Sequence, residues 1–253
     1  MEVPYLSKSE IENQATCLLA EFGMSCGTEV TAPIPVEQLL ESHLKLSLDF
    51  DDLHTKLGVP RKGAEPEVFG ALWVNSGEVF VDQSLDPDEN PQMEGRYRFT
   101  LGHEIGHWCL HRNYLVSADL FEEPIQSTPM FCRSSQAKKR IEWQADYFAS
   151  CLLMPRALTA TLWRETFSRS NPLVFSSWVP DSWTKPPKGW ITTVELSRDQ
   201  QTRFDSKAVG HFFYRGSEPM ARAFNVSNQA MQLRLRELGL LSIEPSHQSS
   251  LVA

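Results

Sequence analysis

The chain has 253 residues, enough for one large domain or two small ones, and its 41% hydrophobic and 22% charged content is that of an ordinary globular protein. A net charge of −8 argues against duplex nucleic acid held mainly by bulk charge. Five irregularly spaced cysteines do not form a disulfide framework; with a polar N-terminus and no long apolar run, a reducing, cytoplasmic setting without signal peptide or membrane anchor is expected.

In chain order, Lys8 to Phe22 reads as an amphipathic helix with Ile11, Ala15, Leu18 and Leu19 on one face, and Val36, Leu39 and Leu40 suggest a short second helix after Pro35. The period then changes to alternation in Leu46–Phe50, Phe69–Val74 and Glu78–Val81, predicting three short strands, the last two joined by a turn at Asn75-Ser76-Gly77. The acidic stretch Asp82 to Glu94 reads as a loop. A helix from about Gly95 to His111 carries the stripe Leu101, Ile105 and Trp108, and after a loop from Asn113 to Ser134 another runs from about Ala137 to Met154, with Ile141, Ala145, Phe148 and Leu152 inward and Pro155 as its stop. The Pro- and Trp-rich region Asn171 to Trp190 reads as an irregular excursion, followed by one or two strands near Ile191–Leu196 and Ala208–Tyr214. Glu218 to Leu241 reads as helix–turn–helix: one helix ends near Phe224, Ser227 caps the next, Met231, Leu235 and Leu238 form its apolar face, and Gly239 closes it. The tail from Pro245 is polar. Three segments result: a core over 1–155, an irregular connector over 156–216, and a terminal module over 217–253.

The chemistry is concentrated in His103-Glu104-Ile105-Gly106-His107. Spacing of four puts both imidazoles on one helix face, one turn apart, where they can share a zinc ion. Glu104 follows the first of them, within reach of a water on that ion, as in zinc peptidases with the HExxH motif. Catalytic zinc takes three protein ligands, and Glu142, on the next helix and flanked by its buried stripe, is the expected third. Asp146, one turn later, can accept a hydrogen bond from the non-ligating nitrogen of a ligand histidine and fix its tautomer. The rival spacing with a third histidine at 113 is absent, since Asn113 stands there. His111 is a poor third ligand on one straight helix and reads as a surface or helix-terminal residue. Two histidines and a carboxylate also tolerate manganese.

Arg98-Phe-Thr-Leu-Gly-His-Glu-Ile-Gly-His-Trp-Cys-Leu-His111 and Arg140-Ile-Glu-Trp-Gln-Ala-Asp-Tyr-Phe-Ala-Ser-Cys-Leu-Leu-Met-Pro155 together resemble the ImmA/IrrE family of zinc metallopeptidases. Pro33-Ile-Pro-Val36, Ala223–Met231 and Arg234–Leu241 are similar to further family segments, the last two to a winged-helix-like region. The resemblance implies an α+β fold: a minimal thermolysin-like zincin core with a small sheet packed on helices, and a C-terminal winged-helix-like helix-turn-helix module. It implies cleavage of a helix-turn-helix transcriptional repressor, inducing a stress, DNA-damage or phage-defence response. Carried over, His103, His107 and Glu142 hold Zn2+ and Glu104 is the catalytic base; many relatives have Asn where this chain has Asp146, and both can accept the same hydrogen bond.

Three further readings follow from the sequence. Cys132, in the loop feeding the Glu142 helix, can supply an inhibitory fourth zinc ligand or be an inert loop cysteine. Arg222, Arg234 and Arg236 can serve phosphates, though a packing or substrate-docking module fits the acidic chain better. Single-stranded DNA is a candidate activator, with Trp178, Trp183 and Trp190 as stacking residues or packing residues. The alternative function is a non-catalytic DNA- or partner-binding regulator with a zinc sensing site, disfavoured by the intact Glu104; a small-molecule hydrolase ranks third.

Overall fold

The computed structural model describes residues 4–58, 68–119, 137–175 and 206–243. Helix α1, Lys8–Cys26, opens with a reciprocal cap: Ser7 Oγ accepts from Glu10 N, and Ser7 N donates to Glu10 Oε2 at 2.7 Å. Its buried face is Ile11, Ala15, Leu18, Leu19 and Phe22, and it runs one turn past the expected end to Gly27, which closes it at φ 65°. The second helix, α2, is the single turn Val36–Gln38, continued by a π-helical turn over Leu39–His43.

The expected strands are present as β1 (Ser47–Asp51), β2 (Gly70–Trp73) and β3 (Glu78–Asp82), with a short helix α3 (Leu53–Leu57) after β1. They form a three-stranded sheet in the order β1-β3-β2, with β1 parallel and β2 antiparallel to β3. Alternation gives the sheet two different faces. Ala71, Trp73 and Phe80 join Leu53, Leu57 and Val68 in a small apolar cluster. Gly70 and Leu72, with their partners Val81 and Val79, lie on the opposite face, where Gly70 abuts Thr100 and Glu104 of the long helix α4 (Glu94–Asp119). Buried Asp82 at the end of β3 ties the sheet to α3: its Oδ2 accepts from Leu53 N at 3.2 Å and its Oδ1 from Ser84 N at 3.0 Å.

Helix α4 begins where expected but extends about two turns beyond His111, to Asp119, through part of the segment read as a loop. Trp108 is only half-buried; Leu110 takes the inner position beside Leu101 and Ile105. Helix α5, Ala137–Leu153, buries Ile141, Ala145, Phe148 and Leu152 and packs on both α4 and α1. The seam between α4 and α5 is made of small residues. A Cβ on Gly102 would stand 3.2 Å from Ala149 Cβ, and one on Gly106 would stand 3.1 Å from both Ala145 Cα and Ala145 O. No side chain fits between the helices there, so their backbones approach closely.

The chain folds as two compact units: Met1–Leu158 with Phe224–Val226, and Thr159–Ala223 with Ser227–Ala253. Residues 156–216, read as an irregular connector, hold helix α6 (Arg156–Phe167), strand β4 (Leu173–Phe175) and the first half of helix α7 (Ser206–Phe224). The strand expected over Ala208–Tyr214 is therefore a correction: it is helical. Seven residues are too few to separate a period of 2 from one of 3.6. The helical stripe emerges only when Val209 and Phe213 are followed through Met220 to Phe224, all buried. Helix α8 (Asn228–Glu237) starts at the expected cap, Ser227 Oγ accepting from Ala230 N at 3.1 Å, and Gly239 follows its end at φ 70°. Strand β5 (Leu241–Ile243) pairs in parallel with β4. The whole is a mixed α+β fold with a small sheet packed against helices. Among the described residues no helix is long and apolar enough to cross a membrane. The strand expected near Ile191–Leu196 and the residues Trp178, Trp183 and Trp190 lie outside the described residues.

Candidate metal centre

One turn of α4 brings His103 Nε2 and His107 Nε2 to 2.9 Å from each other. From α5, Glu142 Oε2 closes the triangle at 3.3 Å from the first and 3.8 Å from the second. His107 is buried, and His103 and Glu142 are partly exposed. Glu142 reaches the histidines because the glycine–alanine seam sets its helix directly against theirs. These three side chains form a cluster that can coordinate a divalent ion. The donor set fits zinc: a tetrahedral ion about 2.1 Å from each ligand has ligand–ligand edges of about 3.4 Å, and the observed edges of 2.9, 3.3 and 3.8 Å bracket that value. Two bare imidazole nitrogens at 2.9 Å repel, so a proton or a cation belongs between them.

Each histidine is held from behind, in a different way. Asp146 Oδ1 lies 2.8 Å from His103 Nδ1. Nδ1 of His107 lies 3.1 Å from Nδ1 of His111, whose Nε2 is 2.8 Å from Gln144 Oε1. His111, read from the sequence as a surface or terminal residue, is fully buried. This is the residue that sequence reasoning misjudged, although its spacing of four from His107 was the available signal.

The electrostatics follow from these partners. Burial opposes a charge on His103, but hydrogen bonds to Asp146 and Glu142 outweigh it and lift its pKa to about 10. Burial pushes His107 down to about 4, with its Glu142 bond offsetting only part of that. For Glu142, burial raises the pKa, but the bonds from His103 and His107 more than reverse this and hold the carboxylate well below its usual range. At neutral pH the metal-free cluster thus holds one proton more than its two neutral imidazoles would, on His103, in the place a cation would take. Zinc uptake at pH 7.5 is expected to release that proton, about one per ion, because the metal ligand must be the neutral imidazole. Calorimetric titration in buffers of different ionisation enthalpy measures the number; a value near zero would contradict the charge state assigned to His103.

Glu104 sits one residue beyond His103, about 100° further round the helix, and points to the sheet. It is buried, and its Oε2 has no hydrogen-bond partner among the described residues. Burial lifts its pKa to about 7, the His103 charge opposing and the Glu142 charge adding. Gly70 leaves the room it occupies, since a Cβ there would land on Glu104 Oε1 and 2.7 Å from Thr100 Cγ2. Neither Gly70 nor the Gly102–Gly106 pair was singled out from the sequence, although a Gly-x-x-x-Gly spacing facing Ala-x-x-x-Ala was legible there. Cys132 lies outside the described residues. The thiol of Cys109, on α4, is pushed up to about 12 by burial. Of the arginines considered for phosphate contacts, Arg234 is buried, and Arg222 is exposed but paired with Glu218 at 2.6 Å.

Residues 88–171 match the Peptidase_M78 family, described as the IrrE N-terminal-like domain. That window is about a third of the chain, and it contains His103, Glu104, His107, Glu142 and Asp146. An IrrE-like domain is therefore present over part of the chain. No curated protein matches it along its sequence. Among solved structures, a Mycobacterium tuberculosis transcriptional regulator is similar, with 14% identity and a TM-score of 0.42 over 88% of this chain and 46% of that one. The chain spans less than half the length of that protein.

Proposed function

We propose that the chain is a zinc-dependent, site-specific endopeptidase of the ImmA/IrrE type, acting in the cytoplasm on a helix-turn-helix transcriptional repressor and so inducing a stress or defence response. The observation that carries this reading is the convergence of His103, His107 and Glu142 beside a buried glutamate, Glu104, one of whose oxygens has no partner among the described residues. A structural metal site has no use for such a carboxylate, and leaving it unpaired costs stability. A zinc ion held there supplies Lewis acidity to the scissile carbonyl and to the attacking water. Glu104 takes the proton from that water at its free oxygen and delivers it to the departing amine. In the metal-loaded protein Asp146 accepts from His103 Nδ1–H and leaves Nε2 free as a ligand.

The position of the sheet favours a peptide over a small molecule. Among the described residues β2 is an edge strand, and its first residue, Gly70, touches Glu104. An extended chain adding to that edge would bring its backbone to the base. The α7–α8 pair, with Ser227 and Gly239 as its stops, fits the role of a winged-helix-like element that docks the repressor. Single-stranded DNA remains a candidate activator.

The test is a cleavage assay on the helix-turn-helix repressor encoded beside this protein, using zinc-loaded and chelator-treated samples with and without single-stranded DNA. Cutting is expected at one site and only in the zinc-loaded samples. Cutting that survives chelation, or none by zinc-loaded protein under either condition, would contradict the proposal.

A further inference from the structure

His107 is backed by a chain of neutral groups whose hydrogen-bond directions can be read from its far end. Pro4 O can only accept, so the Gln144 group 3.1 Å from it is the amide nitrogen, Nε2. That orientation turns Gln144 Oε1 toward His111 Nε2 at 2.8 Å. An amide oxygen can only accept, so His111 Nε2 carries hydrogen. His111 is fully buried and its two ring partners are an amide oxygen and an imidazole nitrogen, an environment that disfavours a second proton. Its Nδ1 is therefore bare and accepts from His107 Nδ1–H across 3.1 Å. The remaining nitrogen of His107, Nε2, is left with a free lone pair, and this is the atom that faces His103 and Glu142. The opposite polarity would place hydrogen on His107 Nε2 and spoil it as a ligand.

We infer that His111 and Gln144 are positioning residues: a buried relay, anchored on the carbonyl oxygen of Pro4, that sets the tautomer of His107 and aims its Nε2 at the metal. The inference rests on the metal-centre reading above. It gives the segment ahead of α1 a role in the site. Pro4 supplies the anchor and Tyr5 lies parallel to Trp143, with ring centroids 6.4 Å apart, beside Gln144 on α5. The two ligand histidines are then held differently, His103 by a carboxylate and His107 by a neutral chain that ends at a backbone carbonyl.

The test has two arms. Long-range proton–nitrogen NMR of the wild-type, zinc-loaded protein reads the tautomers directly. The relay requires hydrogen on Nδ1 of His107 and on Nε2 but not Nδ1 of His111; hydrogen on His111 Nδ1 overturns it. In the second arm, zinc affinity is measured by chelator competition for wild type, Gln144→Leu and Gln144→Glu. Loss of an outer partner of a ligand histidine weakens metal binding about 10- to 100-fold, which is the expectation for Leu. Glu keeps an oxygen facing His111 and can offer its acid hydrogen to Pro4, so its affinity should stay within about threefold of wild type. A Gln144→Leu protein that is folded by near-UV circular dichroism and binds zinc as tightly as wild type overturns the relay. Wild-type protein that takes up no zinc overturns the metal centre, and the relay with it. Should Gln144→Leu not fold, the wild-type spectrum decides alone.

Discussion

Glu104→Gln should abolish cleavage while leaving zinc in place. The amide matches the carboxylate in size but cannot take a proton from water. General bases contribute about 10²- to 10⁴-fold, so a loss of that size in turnover, roughly 3–5 kcal/mol of barrier, is expected. Zinc content should stay at the wild-type stoichiometry, since Glu104 is not part of the ligand triangle. The metal-free variant should also be at least as heat-stable as the metal-free wild type. Burial lifts the Glu104 pKa to about 7, so the ionised carboxylate carries a desolvation cost that the neutral amide lacks. A further consequence concerns pH. A bound dication lowers the pKa of a nearby carboxyl, so the acid limb of cleavage should fall below the metal-free value of about 7, with activity lost as pH drops through it and the base is protonated. Metal analysis, thermal unfolding, turnover and its pH profile on the same preparations check all four. Turnover within tenfold of wild type would remove Glu104 from the role of base.

Gly106→Val should cost the protein both stability and its metal. Helix propensity alone predicts the opposite sign, since glycine in a helix interior is about 1 kcal/mol worse than alanine. Here the space decides. A Cβ at 106 would lie 3.1 Å from the Cα and the carbonyl oxygen of Ala145 and 3.3 Å from Phe148 Cβ. Two of these three neighbours are backbone, which cannot rotate aside, and valine adds two methyl groups beyond that carbon. Overpacking of this kind costs about 1–3 kcal/mol. The only relief is for α5 to move away from α4, and that withdraws Glu142 from the two histidines. Zinc affinity should therefore fall by more than tenfold, beyond what the stability loss explains, because one of three ligands is displaced. Gly102→Ala, whose Cβ would meet Ala149 Cβ at 3.2 Å, should show a weaker form of the same defect. Wild-type unfolding temperature and zinc affinity in Gly106→Val would show that the seam has slack and does not set the position of Glu142.

What was legible in the sequence was what local spacing encodes. The stripe Ile11 to Leu19, the alternating strands, the one-turn spacing of His103 and His107, and the caps at Ser227 and Gly239 all depend on residues within a turn or two of each other. What was not legible depends on partners far apart in the chain. Gly70 against Glu104 is a contact between separate elements, and nothing near that glycine announces its neighbour; at Gly106 the Gly-x-x-x-Gly spacing was a signal, but it names no partner by itself. His111 was misread because a histidine near an expected helix end reads as solvent-facing, whereas α4 continues to Asp119 and the residue is sealed against Gln144. Over Ala208–Tyr214 the stretch was too short to tell the two periodicities apart, and the strand expected there is the start of α7.

β2 is an edge strand among the described residues, and under the proposed peptidase reading this bears on what kind of target can be cut. A backbone that joins a sheet edge must be extended, whereas helix-turn-helix proteins are helical over most of their length. A scissile segment inside one of those helices has to melt over several residues before it can be presented beside Gly70 and Glu104. The free energy of that local opening enters the observed rate directly. Susceptibility would then follow the looseness of the repressor more closely than the identity of the residues at the cut. A ligand or operator that stiffens the target would then shield it without approaching this protein at all.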